Sequence, residues 1–168
     1  MRKIFTIMAA MLLVASAAAQ QKQHAALERL RAAISDSCLT LECSYSMHVS
    51  HTRVQGEAQV MLQQNAYVMR GNGIEVYCDG TKVWTIDPSL KEVYVEPVES
   101  AGVNGLLDPE SADILFDAEG NPVSAVFLMK DGLKVELVIS SVSWSKIKPE
   151  DVFRPQADFG SDWIVTEL

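Results

Sequence analysis

The sequence predicts an α+β chain: one leading helix, then a meandering, mostly antiparallel sheet of about eight or nine short strands with a small insert. Three observations predict it. Apolar residues across 20–37 recur with a helical period. From Leu39 onward the period drops to two. The alternating runs are punctuated by Asn-Gly, Asp-Gly and Asp-Pro pairs, which favour tight turns between strands.

In chain order, Arg2 and Lys3 precede the apolar run IFTIMAAMLLVASA, which is short for a bilayer span, and Ala17-Ala18-Ala19 offers the small-x-small pattern of a signal cleavage site. Residues 1–19 are therefore expected to be a cleaved secretory signal and residues 20–168 one exported domain. A lipidated protein would carry Cys directly after that site. The first cysteine is Cys38, so no lipid anchor is expected. The exported part holds 12 basic and 22 acidic residues, a formal charge of −10. Such a chain repels nucleic acid and disfavours broad electrostatic adhesion to anionic lipid, so any lipid contact must run through apolar surface.

QQKQHAALERLRAAISDS reads as an amphipathic helix, with Leu27, Leu30 and Ile34 on one stripe. Leu41, Cys43, Tyr45, Met47 and Val49 alternate with Glu42, Ser44, Ser46, His48 and Ser50, the signature of a half-buried strand. GEAQVMLQ and AYVMR follow, then a turn at Gly71-Asn72-Gly73. The segment from Ile74 to Val98, IEVYCDGTKVWTIDPSLKEVYVEPV, contains three more strands, and Pro97 predicts a sheet edge. Asp108-Pro109-Glu110 has the form of a helix start, while DILFD reads equally as a strand. VSAVFLM and LKVELVISSVSW are further strands between turns, IKPEDVFRP reads as a turn, and DWIVTEL is placed to close the sheet.

Parity around Asp79-Gly80 puts Tyr77, Trp84 and Ile86 on one face with Glu75, and Ile74, Val76, Cys78 and Val83 on the other. Both faces are apolar, where a one-sided antiparallel sheet would be polar outside. Each face needs cover, and the sequence offers one helix and one insert. Either the sheet closes on an ordinary packed core, or it encloses an apolar hollow that a ligand fills.

The three cysteines are expected to include buried small hydrophobes. Cys38 and Cys43 cannot bridge along one extended strand, since five residues span roughly 16 Å. His48 and His51 face opposite ways on a strand, His24 sits at a helix start, and Ser44, Ser46 and Ser50 lack a nucleophile elbow. Gly71-Asn72-Gly73 lacks the features of a phosphate loop. The expectation is no enzyme, no metal and no cofactor.

ALERLRAAISDSCLTLECSYS, then DGTKVWTIDPSLKEV, then FDAEGNPVSAVFLMKDGLKVELVISSVSWS leading to FRP, resembles the periplasmic outer-membrane lipoprotein carrier family, the LolA-like proteins, in the version of Bacteroidetes-type bacteria. The resemblance covers most of residues 20–168. It implies an incomplete, half-open antiparallel β-barrel with an N-terminal helix and a short helical or lid insert. The hydrophobic cavity of such a barrel shelters lipoprotein acyl chains between an inner-membrane transporter and an outer-membrane acceptor. A monomeric periplasmic protein is expected. By matching positions and parity, Val60, Leu62, Tyr67, Met69, Tyr77, Trp84, Ile86 and Phe127 are expected to line the cavity, with Leu106 and Leu107 in the lid. Two features depart from the family. Its basic latch residue at the end of the second strand is replaced by Gln63 or Gln64, and the segment before DILFD is shorter. A lipid- or lipoprotein-sensing module on the same fold is the alternative.

Overall fold

In the computed structural model, which describes residues 22–49, 52–98, 107, 112–128, 133–156 and 158–168, a helix over residues 22–36 (α1) leads into ten strands. These are β1 Cys38–Val49, β2 Thr52–Gln63, β3 Ala66–Gly71, β4 Ile74–Cys78, β5 Lys82–Asp87, β6 Glu92–Pro97, β7 Ala112–Phe116, β8 Pro122–Leu128, β9 Lys134–Ser145 and β10 Ile164–Glu167. They form one sheet in the order β10-β6-β5-β4-β3-β2-β1-β9-β8-β7, antiparallel throughout except for β10 against β6. The order has two ends, so the sheet is open.

Several expectations are sharpened. The strand count is ten. The DILFD segment begins as strand β7, while the candidate helix start at Asp108-Pro109-Glu110 lies outside the described residues. IKPEDVFRP contains a 3-10 helix, Glu150–Phe153. DWIVTEL does not close the sheet; it adds β10 in parallel to β6. Pro97 does not mark a sheet edge as expected, because β10 lies on the other side of β6 from β5. The Val98 amide donates to Thr81 on the β5 side, so alternation turns the Pro97 nitrogen to the other side, past the last residue of β10.

The turns follow side-chain chemistry. Asn72 and Gly73, at φ 50 and 77, form a two-residue loop that pairs Gly71 with Ile74. At the next hairpin Gly80 takes φ 88 while the Asp79 carboxylate accepts from the Thr81 amide, the Thr81 hydroxyl and the Lys82 amide. Asp87 repeats this with Ser89 and Leu90.

Helix α1 lies over one face, called inner here. Its Leu27, Leu30 and Ile34 are buried in a cluster with Leu39, Leu41, Val60, Leu62, Tyr67, Cys78 and Val83. Gln23 ties the helix start to β7 through Asp113 (2.6 Å) and the Ile114 carbonyl (3.1 Å). At the other end the Gln64 amide caps the Ile34 carbonyl at 2.7 Å. The helix, about 22 Å long, thus spans the four strand spacings from β2 to β7, about 19 Å.

The outer face of the β3–β6 half has its own cover, which the sequence reading did not count. Residues 146–156 and 158–163 cross it and bury Phe153 among Cys38, Val68, Tyr77, Ile86, Val93 and Val95. Trp84 and Trp163 pack against this cluster, and Phe159 meets Trp163 with ring centroids 5.2 Å apart. Arg154 donates to Asp79 at 2.8 Å and pins this segment to the β4–β5 turn. Burial opposes the Asp79 charge. Hydrogen bonds from Thr81, Lys82 and Arg154 outweigh it and hold the carboxyl at about 2.

Because the folded carboxyl is more acidic than the unfolded one, its stabilisation is complete above pH ~4 and fades as pH falls toward ~2. Asp79→Asn should flatten that part of the acid limb. It should also lower the melting temperature at neutral pH by about 2–4 °C, the shift expected for ~1 kcal/mol in a domain this size. Thermal scans of both proteins from neutral to acid pH check this, and parallel acid limbs would refute it.

Candidate ligand-binding face

Cross-strand register builds the inner face row by row. Leu39, Leu62, Tyr67, Cys78 and Val83 form one row across β1 to β5, and Leu41, Val60, Met69 and Val76 the next. Further along β1, Cys43 pairs with Ala58, Tyr45 with Gly56 and Met47 with Val54. On the other side Trp144, Val142, Ile139, Leu137 and Val135 of β9 oppose the same β1 residues, and Ala125 and Phe127 of β8 continue to Ile114 and Ala112 of β7. From β4 across to β7, the register places no charged side chain of a described strand residue on this face. The outer face of β1 and β2 carries Thr40, Glu42, Ser44, Ser46 and His48 against Met61, Gln59, Glu57, Gln55 and Arg53. One β1 strand therefore separates an apolar face from a mostly polar one.

Coverage of the inner face is uneven. The row beneath the last turns of α1 is buried, as is Leu107, whose carbonyl accepts from Arg31 at 2.8 Å. Toward the far ends of the long strands, Met47, Val54, Val76 and Val135 are only half-buried, and Met69 is 36% exposed. A cavity of about 310 Å³ opens between α1 and β7, lined by Gln23, His24, Leu27, Ala112, Asp113, Ile114 and Phe116. A wider depression of about 630 Å³ involves Glu42, Ser44, Glu57, Gln59 and Arg70, polar residues that register assigns to the outer face.

The eight residues expected to line one cavity divide between two faces. Val60, Leu62, Tyr67, Met69 and Phe127 are on the inner face. Tyr77, Trp84 and Ile86 are on the outer face, in the cluster closed by Phe153, because Tyr67 pairs with Cys78 and not with Tyr77. The two-residue Asn72-Gly73 loop carried this information, since pairing Gly71 with Ile74 fixes Tyr67 opposite Cys78. Of the lid pair, Leu107 is buried in the inner cluster and Leu106 lies outside the described residues.

Polar groups near the inner face are neutral or spent. Burial, with the Cys78 and Glu96 charges adding to it, pushes the Tyr67 hydroxyl up to about 12, so the phenol keeps its proton. Cys38, Cys43 and Cys78 are free and buried, and burial raises each thiol above its ordinary value. Cys38 belongs to the outer cluster, whereas Cys43 and Cys78 belong to the inner one. Among the described residues, no group of three or more His, Cys, Asp or Glu is arranged to hold a metal ion.

At the position expected for the latch, Gln63 is 4% exposed and forms a two-point clasp. Its amide donates to the Lys148 carbonyl at 3.0 Å, and its oxygen accepts from the Lys148 amide at 2.7 Å. The clasp holds the start of the segment that covers the outer face.

No family model matches this chain, and no curated protein matches it. Among solved structures, an uncharacterized conserved protein from Thermus thermophilus matches with a TM-score of 0.54 at 10% identity, over 89% of this chain and 99% of that one. A putative outer membrane lipoprotein-sorting protein domain from Vibrio parahaemolyticus gives 0.46 at 8% identity, over 76% and 94%. A LolA superfamily protein from Nitrosomonas europaea gives 0.42 at 10%, over 79% and 97%. The architecture is a single open, largely antiparallel sheet led by one helix, and at these identities the likeness is one of fold alone.

Replacing Gln63 by Leu should leave the half-buried Lys148 backbone groups without their protein partner and cost about 1 kcal/mol. Urea unfolding would report a lower midpoint. An unchanged midpoint would show that the clasp contributes nothing.

Proposed function

We propose that this chain is a periplasmic carrier that shelters lipoprotein acyl chains on its inner face and moves lipoproteins from the inner to the outer membrane. The observation that carries the reading is the uncharged inner face, which continues half-covered beyond α1 toward Met47, Val54, Val76 and Val135. Moving an acyl methylene from water to such a surface stabilises it by about 0.8 kcal/mol, so a tail of many methylenes is held without any directional contact. The 310 Å³ cavity beside α1 is at the lower end of small-ligand sites, about 300–1,000 Å³, and would take part of one tail. The ligand-contact residues of this reading are Val60, Leu62, Tyr67, Met69 and Phe127, with Leu107 as cover. The work is shelter, without bond chemistry.

In this reading residues 1–19 direct export and are removed, the domain acts as a monomer, and a half-open barrel is the state that receives a tail. An inner-membrane transporter supplies the lipoprotein and an outer-membrane acceptor takes it. Among the described residues no helix is long and apolar enough to cross a membrane. A second reading, a lipid- or lipoprotein-sensing module, is favoured by one observation: α1 and Leu107 already fill the row formed by Leu39, Leu62 and Tyr67.

The test uses residues 20–168, stripped of lipid and titrated with a fluorescent fatty acid. Met69→Asp and Val135→Asp, each placing a charge on the inner face, should weaken binding roughly tenfold or more. His48→Ala, on the outer face, should leave it unchanged. Equal affinities in all four proteins would defeat the acyl-binding reading. Release of lipoprotein from inner-membrane vesicles by the wild-type chain would favour the carrier; capture without release would favour the sensor.

A further inference from the structure

The end of β9 leaves large apolar side chains exposed at the margin of the inner face. Trp144 pairs with Leu39 at the start of β1, yet it is 42% exposed. Three residues on, Ile147 is 48% exposed, with Lys146 beside it and Lys148 next. This exposure is not fraying. The segment is held at one end by the β1–β9 ladder, where Ser145 pairs with Cys38. At the other end the Gln63 amide grips both backbone groups of Lys148. A large indole and a branched aliphatic side chain are therefore held in water by a rigid turn, which costs free energy unless another surface covers them.

We infer that the Trp144–Lys148 turn is a contact for the surface of an anionic phospholipid bilayer, with Trp144 and Ile147 entering the headgroup boundary and Lys146 and Lys148 facing lipid phosphates. Charge points to this occupant. In a domain with 12 basic and 22 acidic residues, two lysines flank the exposed Ile147. Among the described residues, neither forms an ion pair with a carboxylate. An indole with one apolar body and one N–H, flanked by long cationic side chains, suits the zone between headgroups and hydrocarbon. The net charge of −10 opposes broad adhesion. It does not forbid a local contact, because charges beyond about 8 Å are largely screened at physiological salt. Glu150 and Asp151 follow Pro149 on the short helix whose Phe153 is buried in the outer face, and they temper the attraction. The contact is accordingly weak and reversible, relying on insertion as much as on charge. It does not depend on whether the inner face holds an acyl chain.

The experiment is flotation of residues 20–168 with vesicles of phosphatidylethanolamine and phosphatidylglycerol, against vesicles of phosphatidylcholine alone. Binding is expected to the anionic vesicles, and brominated acyl chains in them should quench tryptophan emission. Trp144→Phe should abolish most of that quenching, since Trp84 and Trp163 are packed against the outer cluster. Trp144→Ser combined with Ile147→Ser should lower vesicle partitioning roughly tenfold or more, and Lys146→Glu with Lys148→Glu should remove the preference for anionic lipid. Trp144, Lys146 and Ile147 are exposed and Lys148 is half-buried, and a melting temperature near that of the wild type verifies each variant. Fluorescent fatty acid binding should be unchanged in the Lys146→Glu, Lys148→Glu protein, which separates this contact from the acyl face. No flotation by the wild type, or equal flotation by wild type and variants, would overturn the inference, the former pointing to a protein partner.

Discussion

An open sheet with apolar side chains on both faces can persist in water only if each face is covered, and that requirement organises this molecule. The strands from β3 to β6 carry it most acutely. Their inner residues, including Tyr67, Cys78 and Val83, join the cluster under α1, while Val68, Tyr77, Ile86, Val93 and Val95 join the cluster closed by Phe153. The two covers come from opposite ends of the chain. Each is fastened by hydrogen bonds to turns of the sheet: α1 through Gln64, the C-terminal segment through Gln63 and Asp79. Neighbouring residues of the β2–β3 connection thus secure both covers, one through its side chain and one through its backbone.

The other half of the sheet solves the problem differently. On β1, β2 and β9 the outer face is mostly polar and needs no cover, so only the inner face must be dealt with. Helix α1 is one helix wide, whereas β1, β2 and β9 each run for 12 residues, about 40 Å. A single helix laid across such strands leaves their far ends half-covered. That uneven coverage joins the fold to the proposed function. A non-directional apolar surface of this kind suits a flexible tail, and it holds that tail without the fixed polar groups by which small-molecule sites set orientation.

Individual residues show how far reading the chain could go. Leu27, Leu30 and Ile34 were legible as the buried stripe of a helix because the period of an α-helix is local. The alternation on β1 was equally plain, and parity correctly separated Tyr77, Trp84 and Ile86 from Val76, Cys78 and Val83. Which of these faces met Tyr67 was not read, although the two-residue Asn72-Gly73 loop held the answer. Gln63 looked like a missing basic latch; its amide makes a neutral clasp on Lys148, a residue 85 positions away.

By itself the sequence determined the helix, the strands, their turns and the two-faced character of the central hairpins, since each follows from the spacing of side chains a few residues apart. Only the tertiary structure decided which cover lies on which face, that β10 joins in parallel to β6, and that Phe153 rather than a ligand or lid fills the space over Tyr77 and Ile86. Those outcomes depend on contacts between residues far apart in the chain. Several segments are apolar enough to serve as cover, and hydrophobic attraction alone has no direction with which to choose among them. The choice is made by hydrogen bonds and ion pairs such as those of Gln63 and Arg154, which form only once the whole sheet is in place.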